Sequence, residues 1–217
     1  MSTPSVAIVA YGMGNVRSVG KALERCGAAP SLTADVAEIQ AADAVLLPGV
    51  GAFGDAMKGL RERGLLEVAK ARASEAAAGG RPFLGVCLGM QVLVDEGEED
   101  PGVQGLGVIP GRAPRIVAPG LKIPHMGWNE LRVLRPSPLL DALEPHSYVY
   151  FVHSFHVVPQ DPADVAAVAD HGGPLAAVLS RGNLFATQFH PEKSQHAGMR
   201  LLENFVKAAR GASAVTG

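Results

Sequence analysis

Hydrophobic positions in the first half of the chain form short runs separated by longer amphipathic stretches. Val6–Ala10 (VAIVA) is an apolar, β-branched run of strand length. A glycine-rich turn, Tyr11–Asn15, follows it, and then a helical pattern from Val16 to Cys26 that Gly27 ends. Ala44–Leu47 is a second apolar run, broken by Pro48 and Gly49. Helical patterns over Asp55–Arg63 and Leu65–Ala78 come next, stopped by Gly79 and Gly80. Pro82–Val86 is a third strand, running into a helix expected from Leu88 to about Glu96. This alternation predicts an α/β fold with a mostly parallel, doubly wound sheet and helices on both faces.

The second half is patterned differently. Leu106–Pro110, Ala113–Ile116, Glu130–Val133, Tyr148–Val158, Val165–Ala169, Ala176–Ser180 and Leu184–Gln188 are short strands set off by Gly and Pro. Gly172-Gly173 and Arg181-Gly182-Asn183 have the composition of hairpin turns. They predict antiparallel strand additions in the C-terminal half. A last helix, His196–Arg210, spaces Met199, Leu202, Phe205 and Val206 at helical intervals. With no repeat or linker, residues 1–217 read as a single domain, with 211–217 as a flexible tail.

Composition narrows the class. The chain has 217 residues, 19 basic and 21 acidic, and a net charge of -2. That balance offers no cationic footprint for nucleic acid. No apolar stretch reaches the roughly 20 residues that span a bilayer, and the first residues lack the basic start and apolar core of a signal peptide. Two cysteines, Cys26 and Cys87, in a chain this long read as thiols in a reducing compartment, so a cytoplasmic protein is expected.

The chemistry concentrates where the third strand ends. Gly85-Val86-Cys87-Leu88-Gly89 is a strand-to-helix turn with small residues on both sides of a cysteine, the thiol form of a nucleophile elbow. The helix N-terminus favours the thiolate. Cys26 closes an amphipathic helix and reads as packing. A cysteine nucleophile needs a base and the base an orienting group. His190 follows a predicted strand, and Pro191 holds it extended, so Glu192 at i+2 shares its face and can orient the imidazole. Backbone N–H groups must meet the developing oxyanion. Leu88, first in its helix, is one donor. Pro48-Gly49-Val50-Gly51, at the end of another parallel strand, supplies Val50 and Gly51 as further donors, and its glycines permit a peptide flip.

Together these segments resemble the class I, triad-type glutamine amidotransferases, and the likeness covers nearly the whole chain. The resemblance implies that Cys87 attacks the glutamine side-chain amide, His190 shuttles the proton and Glu192 orients His190. It also implies that Gly49, Gln91, Ser154 and Phe155 hold the glutamine. Further segments match one subfamily: Tyr11–Asn15, Pro48–Gly54, Pro124-His125-Met126-Gly127-Trp128-Asn129, Tyr148–Ser154 and Phe189–Ser194. Its members pass ammonia to a cyclase subunit with a (β/α)8 barrel, as a heterodimer. The cyclase makes imidazole glycerol phosphate and an aminoimidazole carboxamide ribonucleotide in histidine biosynthesis. By that likeness Asn15, Pro124, His125, Met126, Gly127, Trp128, Asn129, Tyr150 and Lys193 belong to the interface or ammonia channel, with Trp128 in a loop at the mouth. No cofactor or metal is implied.

Other readings use the same residues. Gly12-Met13-Gly14 with Asp35 some way on is a partial dinucleotide fingerprint, though Arg17 stands where the third glycine belongs. His153 and His156, at i and i+3 of an expected strand, face opposite ways and make a poor metal pair. A thiol hydrolase or peptidase on the same fold, a glutaminase of another pathway, and a non-catalytic binding subunit remain open from the elbow and histidine alone.

Overall fold

In a computed structural model that describes residues 3–213, the apolar runs of the first half line up as parallel strands. β1 (Ser5–Val9) lies between β2 (Ala29–Thr33) and β3 (Ala44–Leu47), and β4 (Phe83–Val86) adds to β3. Between and after them come α1 (Val16–Arg25), α2 (Val36–Ala41), α3 (Phe53–Glu62), α4 (Leu66–Ala77) and α5 (Leu88–Gln91). Successive strand side chains point to opposite faces. Accordingly Ala7, Val9, Val45 and Leu47 join a core with α2, α3 and α4. Val6, Ile8, Ala44 and Leu46 join a second core with α1 and the last helix, α6 (Gln195–Ser213).

The remaining strands are β5 (Glu96–Gly97), β6 (Gly111–Ala113), β7 (His125–Glu130), β8 (Arg132–Val133), β9 (Tyr148–His153), β10 (Val158–Pro159), β11 (Val165–Asp170), β12 (Pro174–Arg181) and β13 (Leu184–Thr187). β13 pairs with β4 in parallel, and β12, β11 and β8 continue antiparallel, in the order β2-β1-β3-β4-β13-β12-β11-β8. β10, β6 and β5 form a small second sheet, and β7 pairs with β9 as a two-stranded ribbon. The expected architecture is present: a largely parallel sheet, helices on both faces and antiparallel additions late in the chain.

Several elements differ from the sequence pattern. The strand Ala29–Thr33 and the helix Val36–Ala41 give no apolar signal, because β2 is an edge strand with most of its residues partly or fully exposed. The helix after Cys87 stops after one turn instead of reaching Glu96. The carbonyls of Val92, Leu93 and Val94 accept from Leu106, Val108 and Gly107, so they are not free to continue the helix. Residues 106–110, expected as a strand, are this crossing loop. The segment expected as a loop around Trp128 is strand β7, in register with β9 from His125↔His153 to Glu130↔Tyr148. The long run Tyr148–Val158 divides at His153, where the carbonyl of Ser154 accepts from Ile116 of a neighbouring loop. α6 takes in residues 211–213 of the expected tail; 214–217 lie outside the described residues.

Candidate active site

The elbow is built by close approach. Cys87 has φ 56° and ψ -108°, a strained backbone for a residue with a side chain, held between β4 and α5. Its N–H donates to the Thr187 carbonyl on β13 at 2.7 Å, and its carbonyl accepts from Met90 and Gln91. The flanking glycines are dictated by space. A Cβ at Gly85 would lie 2.6 Å from the Gly89 carbonyl oxygen, and one at Gly89 would lie 2.0 Å from the Leu47 carbonyl oxygen.

His190 arrives on the neighbouring strand end. Its Nδ1 lies 3.1 Å from Glu192 Oε1, and both side chains are 3% exposed. Glu192 reaches the ring because Pro191–Lys193 forms one 3-10 turn, not through the extended i, i+2 geometry expected from the sequence. Ser194 Oγ donates to the His190 carbonyl and accepts from the Tyr150 N–H, locking this turn to β9. Burial pushes the imidazole pKa down, but the Cys87 and Glu192 side chains and their charges outweigh it and raise it to about 9. His190 Nε2 is buried with no partner at standard hydrogen-bond geometry, which leaves it free for a reacting proton.

Cys87 and His190 line one cavity of about 310 Å³ together with Val50, Gly51, Leu88, Gln91, Ser154 and Phe155. Glu192 stands behind the histidine. Gly49 does not line the cavity; it packs beneath the elbow, where an added Cβ would lie 2.6 Å from Leu88 Cβ. The Pro48–Gly51 loop rests on the first strand-to-helix turn. Tyr11 Oη donates to the Pro48 carbonyl at 2.6 Å, and Gly14 lies close against Pro48. Burial, and then the charge of Cys87, push the Tyr11 pKa up, so the phenol stays protonated as that donor. Gly51, with φ 102°, is the loop's left-handed position.

Three side chains at or beside the cavity gave no signal in the sequence. Glu99 sits in the acidic stretch Glu96–Asp100. In the fold Glu99 Oε2 accepts from the Phe53 N–H and Asp100 Oδ2 from the Gly54 N–H, capping α3, which has no side-chain cap of its own. Glu99 thereby presents a carboxylate to the cavity. Gln188 donates from Nε2 toward Cys87 Sγ at 3.8 Å and accepts from Gln91 Nε2 at 3.2 Å. Val152 lines the wall.

The residues assigned to an interface separate into two groups. Met126, Trp128 and Lys193 are exposed, Asn15 is exposed at the start of α1, and Tyr150 meets Trp128 edge-on at 6.0 Å. Pro124 lines the cavity and Gly127, with φ 127°, sits between the two exposed side chains. His125 is buried and Asn129 half-buried, so these two face inward from the same strand. The dinucleotide reading loses its acidic residue: Asp35 Oδ1 accepts from the N–H groups of Ala37 and Glu38 and caps α2. Both ring nitrogens of His153 are engaged within the protein, and no group of three or more metal-type side chains comes together among the described residues.

Comparison with known proteins adds to this geometry. The family described as glutamine amidotransferase class-I matches residues 8–209. The chain is 50% identical over 218 residues to imidazole glycerol phosphate synthase subunit HisH of Synechococcus elongatus, covering 99% of this chain and 98% of the relative. It is 53% identical over 210 residues to the protein of the same name from Thermosynechococcus vestitus, covering 95% and 98%. Among solved structures, a glutamine amidotransferase at 22% identity superposes with a TM-score of 0.73, covering 94% of this chain and 98% of that one. PurLQS of Thermotoga maritima, also at 22% identity, gives 0.66 over 95% and 99%. At those identities the structures speak for the fold.

Proposed function

The chain belongs to the class-I glutamine amidotransferases, and from that premise we propose that Cys87, His190 and Glu192 are the triad with which it hydrolyses glutamine. The activity is that of the glutaminase subunit of imidazole glycerol phosphate synthase, in histidine biosynthesis, as in relatives near 50% identity over almost the full length. One observation carries the assignment of the triad. A buried His190–Glu192 pair, with Nε2 unpartnered, shares a cavity with a cysteine at a strained elbow.

The chemistry follows from the positions. Cys87 Sγ attacks the side-chain amide carbon of glutamine, and the oxyanion is met by the Leu88 N–H and by the backbone N–H groups of the Val50–Gly51 loop. His190 takes the thiol proton of Cys87 at Nε2 and gives it to the departing nitrogen, so the C–N bond breaks, ammonia leaves and a glutamyl thioester remains. Water then attacks the thioester, His190 takes its proton, and glutamate departs as the thiol is restored. Glu192 holds Nδ1 throughout. Gln91 spends its amide N–H groups on Phe155 and Gln188, which leaves its oxygen for the substrate. Glu99 suits the substrate's α-ammonium, and Ser154 and Phe155 wall the pocket.

The chain works with a cyclase subunit. We place a (β/α)8-barrel partner on the face carrying Met126, Trp128, Tyr150, Asn15 and Lys193, at the rim where Pro124 opens onto the cavity. Aromatic and Met side chains suit such a contact. Ammonia delivered there escapes protonation in bulk water. The glycines of the Pro48–Gly51 loop permit a peptide flip, and on that ground we infer a conditional glutaminase, slow alone and fast with the partner and its ligand. Glutamate release measured with and without the cyclase and its ligand tests this. Stimulation is expected, and Cys87→Ala is expected to abolish release; full activity in Cys87→Ala sinks the mechanism.

A further inference from the structure

The ribbon β7–β9 connects its exposed face to the cavity through side chains that the reaction steps leave unused. His153 Nδ1 lies 2.8 Å from the Phe155 carbonyl, which can only accept, so that nitrogen carries the proton and a neutral ring accepts at Nε2. His125 Nδ1 lies 2.9 Å from His153 Nε2, so His125 donates there and accepts at its own Nε2. Asn129 Nδ2 meets His125 Nε2 at 3.1 Å and also donates to the Asp170 carbonyl at 2.7 Å. All the bonds run one way, from Asn129 to His125 to His153 to Phe155. The Phe155 carbonyl also accepts from Gln91 Nε2 at 3.1 Å, and Gln91 reaches Gln188, which faces Cys87.

We propose that His125 and His153 are positioning residues for glutamine, a neutral pair with fixed tautomers that holds the Ser154–Phe155 turn and the Gln91 amide from the strand bearing Trp128. The surroundings keep both rings uncharged. His125 stacks on Phe151 at 4.6 Å and on His171 at 4.3 Å, and His171 itself bonds the Lys122 carbonyl. Burial, then His171, lower the His125 pKa to about 4. Burial also lowers His153, to about 3: its bond to the Phe155 carbonyl opposes this, and the neighbouring His125, His156 and His171 add to it. A proton on either ring would place two donors face to face and break the chain. The exposed Met126 and Trp128 lie on the same short strand as His125 and Asn129, so a partner seated there pulls directly on this chain.

The kinetic part rests on the glutaminase reading; the tautomers do not. Nitrogen-15 NMR of the full chain is expected to show both rings protonated at Nδ1 only and unchanged between about pH 5.5 and 8. Titration of either ring in that window, or a proton on Nε2, overturns the proposal whatever the activity. Two variants then divide bonding from packing in the complex with cyclase and its ligand. His125→Phe keeps the stacked ring and loses both bonds. His125→Asn keeps a donor where Nδ1 stands and empties the stack. The KM for glutamine is expected to rise about tenfold in His125→Phe, with kcat within about threefold, and to recover to within about threefold in His125→Asn. An unchanged KM in His125→Phe, or a larger effect in His125→Asn, makes the histidine a packing residue and overturns the proposal. If the wild-type complex released no glutamate, the glutaminase reading would fail while the NMR still decided the pair.

Discussion

Cys26 and Cys87 carry the same thiol in different settings. Cys26 is half-buried after α1, where burial and Glu203 push its pKa up to about 11 against the pull of Arg25 and Arg210, so it stays protonated. Cys87 stands at a strained elbow beside a buried imidazole. The His190 pKa of about 9 has a consequence for stability. A pKa raised above the unfolded value stabilises the fold fully below about pH 6.5, and the contribution fades as pH rises through about 9. Glu192→Gln removes one of its causes, so the Tm difference between wild type and variant is expected to shrink from pH 6 toward about pH 10. A difference that grows with pH would contradict the assignment. Glutamate release in Glu192→Gln is expected to fall by roughly 10²- to 10⁴-fold. The proposed triad could be nominated from sequence because its signals are local: glycines on both sides of Cys87, and Glu192 two residues from His190. Glu99 was not legible, because its role is set by α3, which lies 46 residues earlier and needs a cap.

At the scale of elements, the elbow depends on α5 and β3 touching. The Gly89 Cα lies so close to the Leu47 carbonyl that a methyl group must displace backbone. Gly89→Ala is expected to cost about 1–3 kcal/mol in urea unfolding and to abolish glutaminase activity, since the loop proposed to hold the oxyanion follows Leu47 directly. The ribbon β7–β9 was half legible. Its Tyr148–His153 strand is a plain apolar run, whereas Pro124–Asn129, with Pro and Gly, reads as a loop until β9 supplies its partner strand. That pairing buries His125 and exposes Met126 and Trp128 on the other side. Trp128 is 47% exposed, so Trp128→Ala is expected to leave the Tm within about 1 °C while weakening cyclase binding by roughly thirtyfold. Calorimetric titration checks this, and unchanged affinity would move the docking face elsewhere. β2 and α2 stayed hidden for the opposite reason: an exposed edge strand and a six-residue helix capped by Asp35 bury too little to leave a pattern.

For the molecule as a whole, the sheet order decides where the chemistry lies. β3, β4 and β13 are neighbours and parallel, so their carboxyl ends bring the Pro48–Gly51 loop, Cys87 and His190 to one edge from three separate stretches of the chain. The alternation of strands and helices foretold that edge, but not β13, late in the chain, slotting in beside β4. Composition contributed only exclusions, and the near-neutral charge suits a small zwitterionic substrate. The central claim is that Cys87 is the nucleophile for glutamine. It is tested most directly by treating the complex of this chain and its cyclase with an electrophilic glutamine analogue and mapping the adduct by peptide mass spectrometry. The predicted result is a single adduct on Cys87, prevented by excess glutamine and accompanied by loss of glutamate release. An adduct on Cys26 alone, or inactivation with Cys87 unmodified, would contradict it.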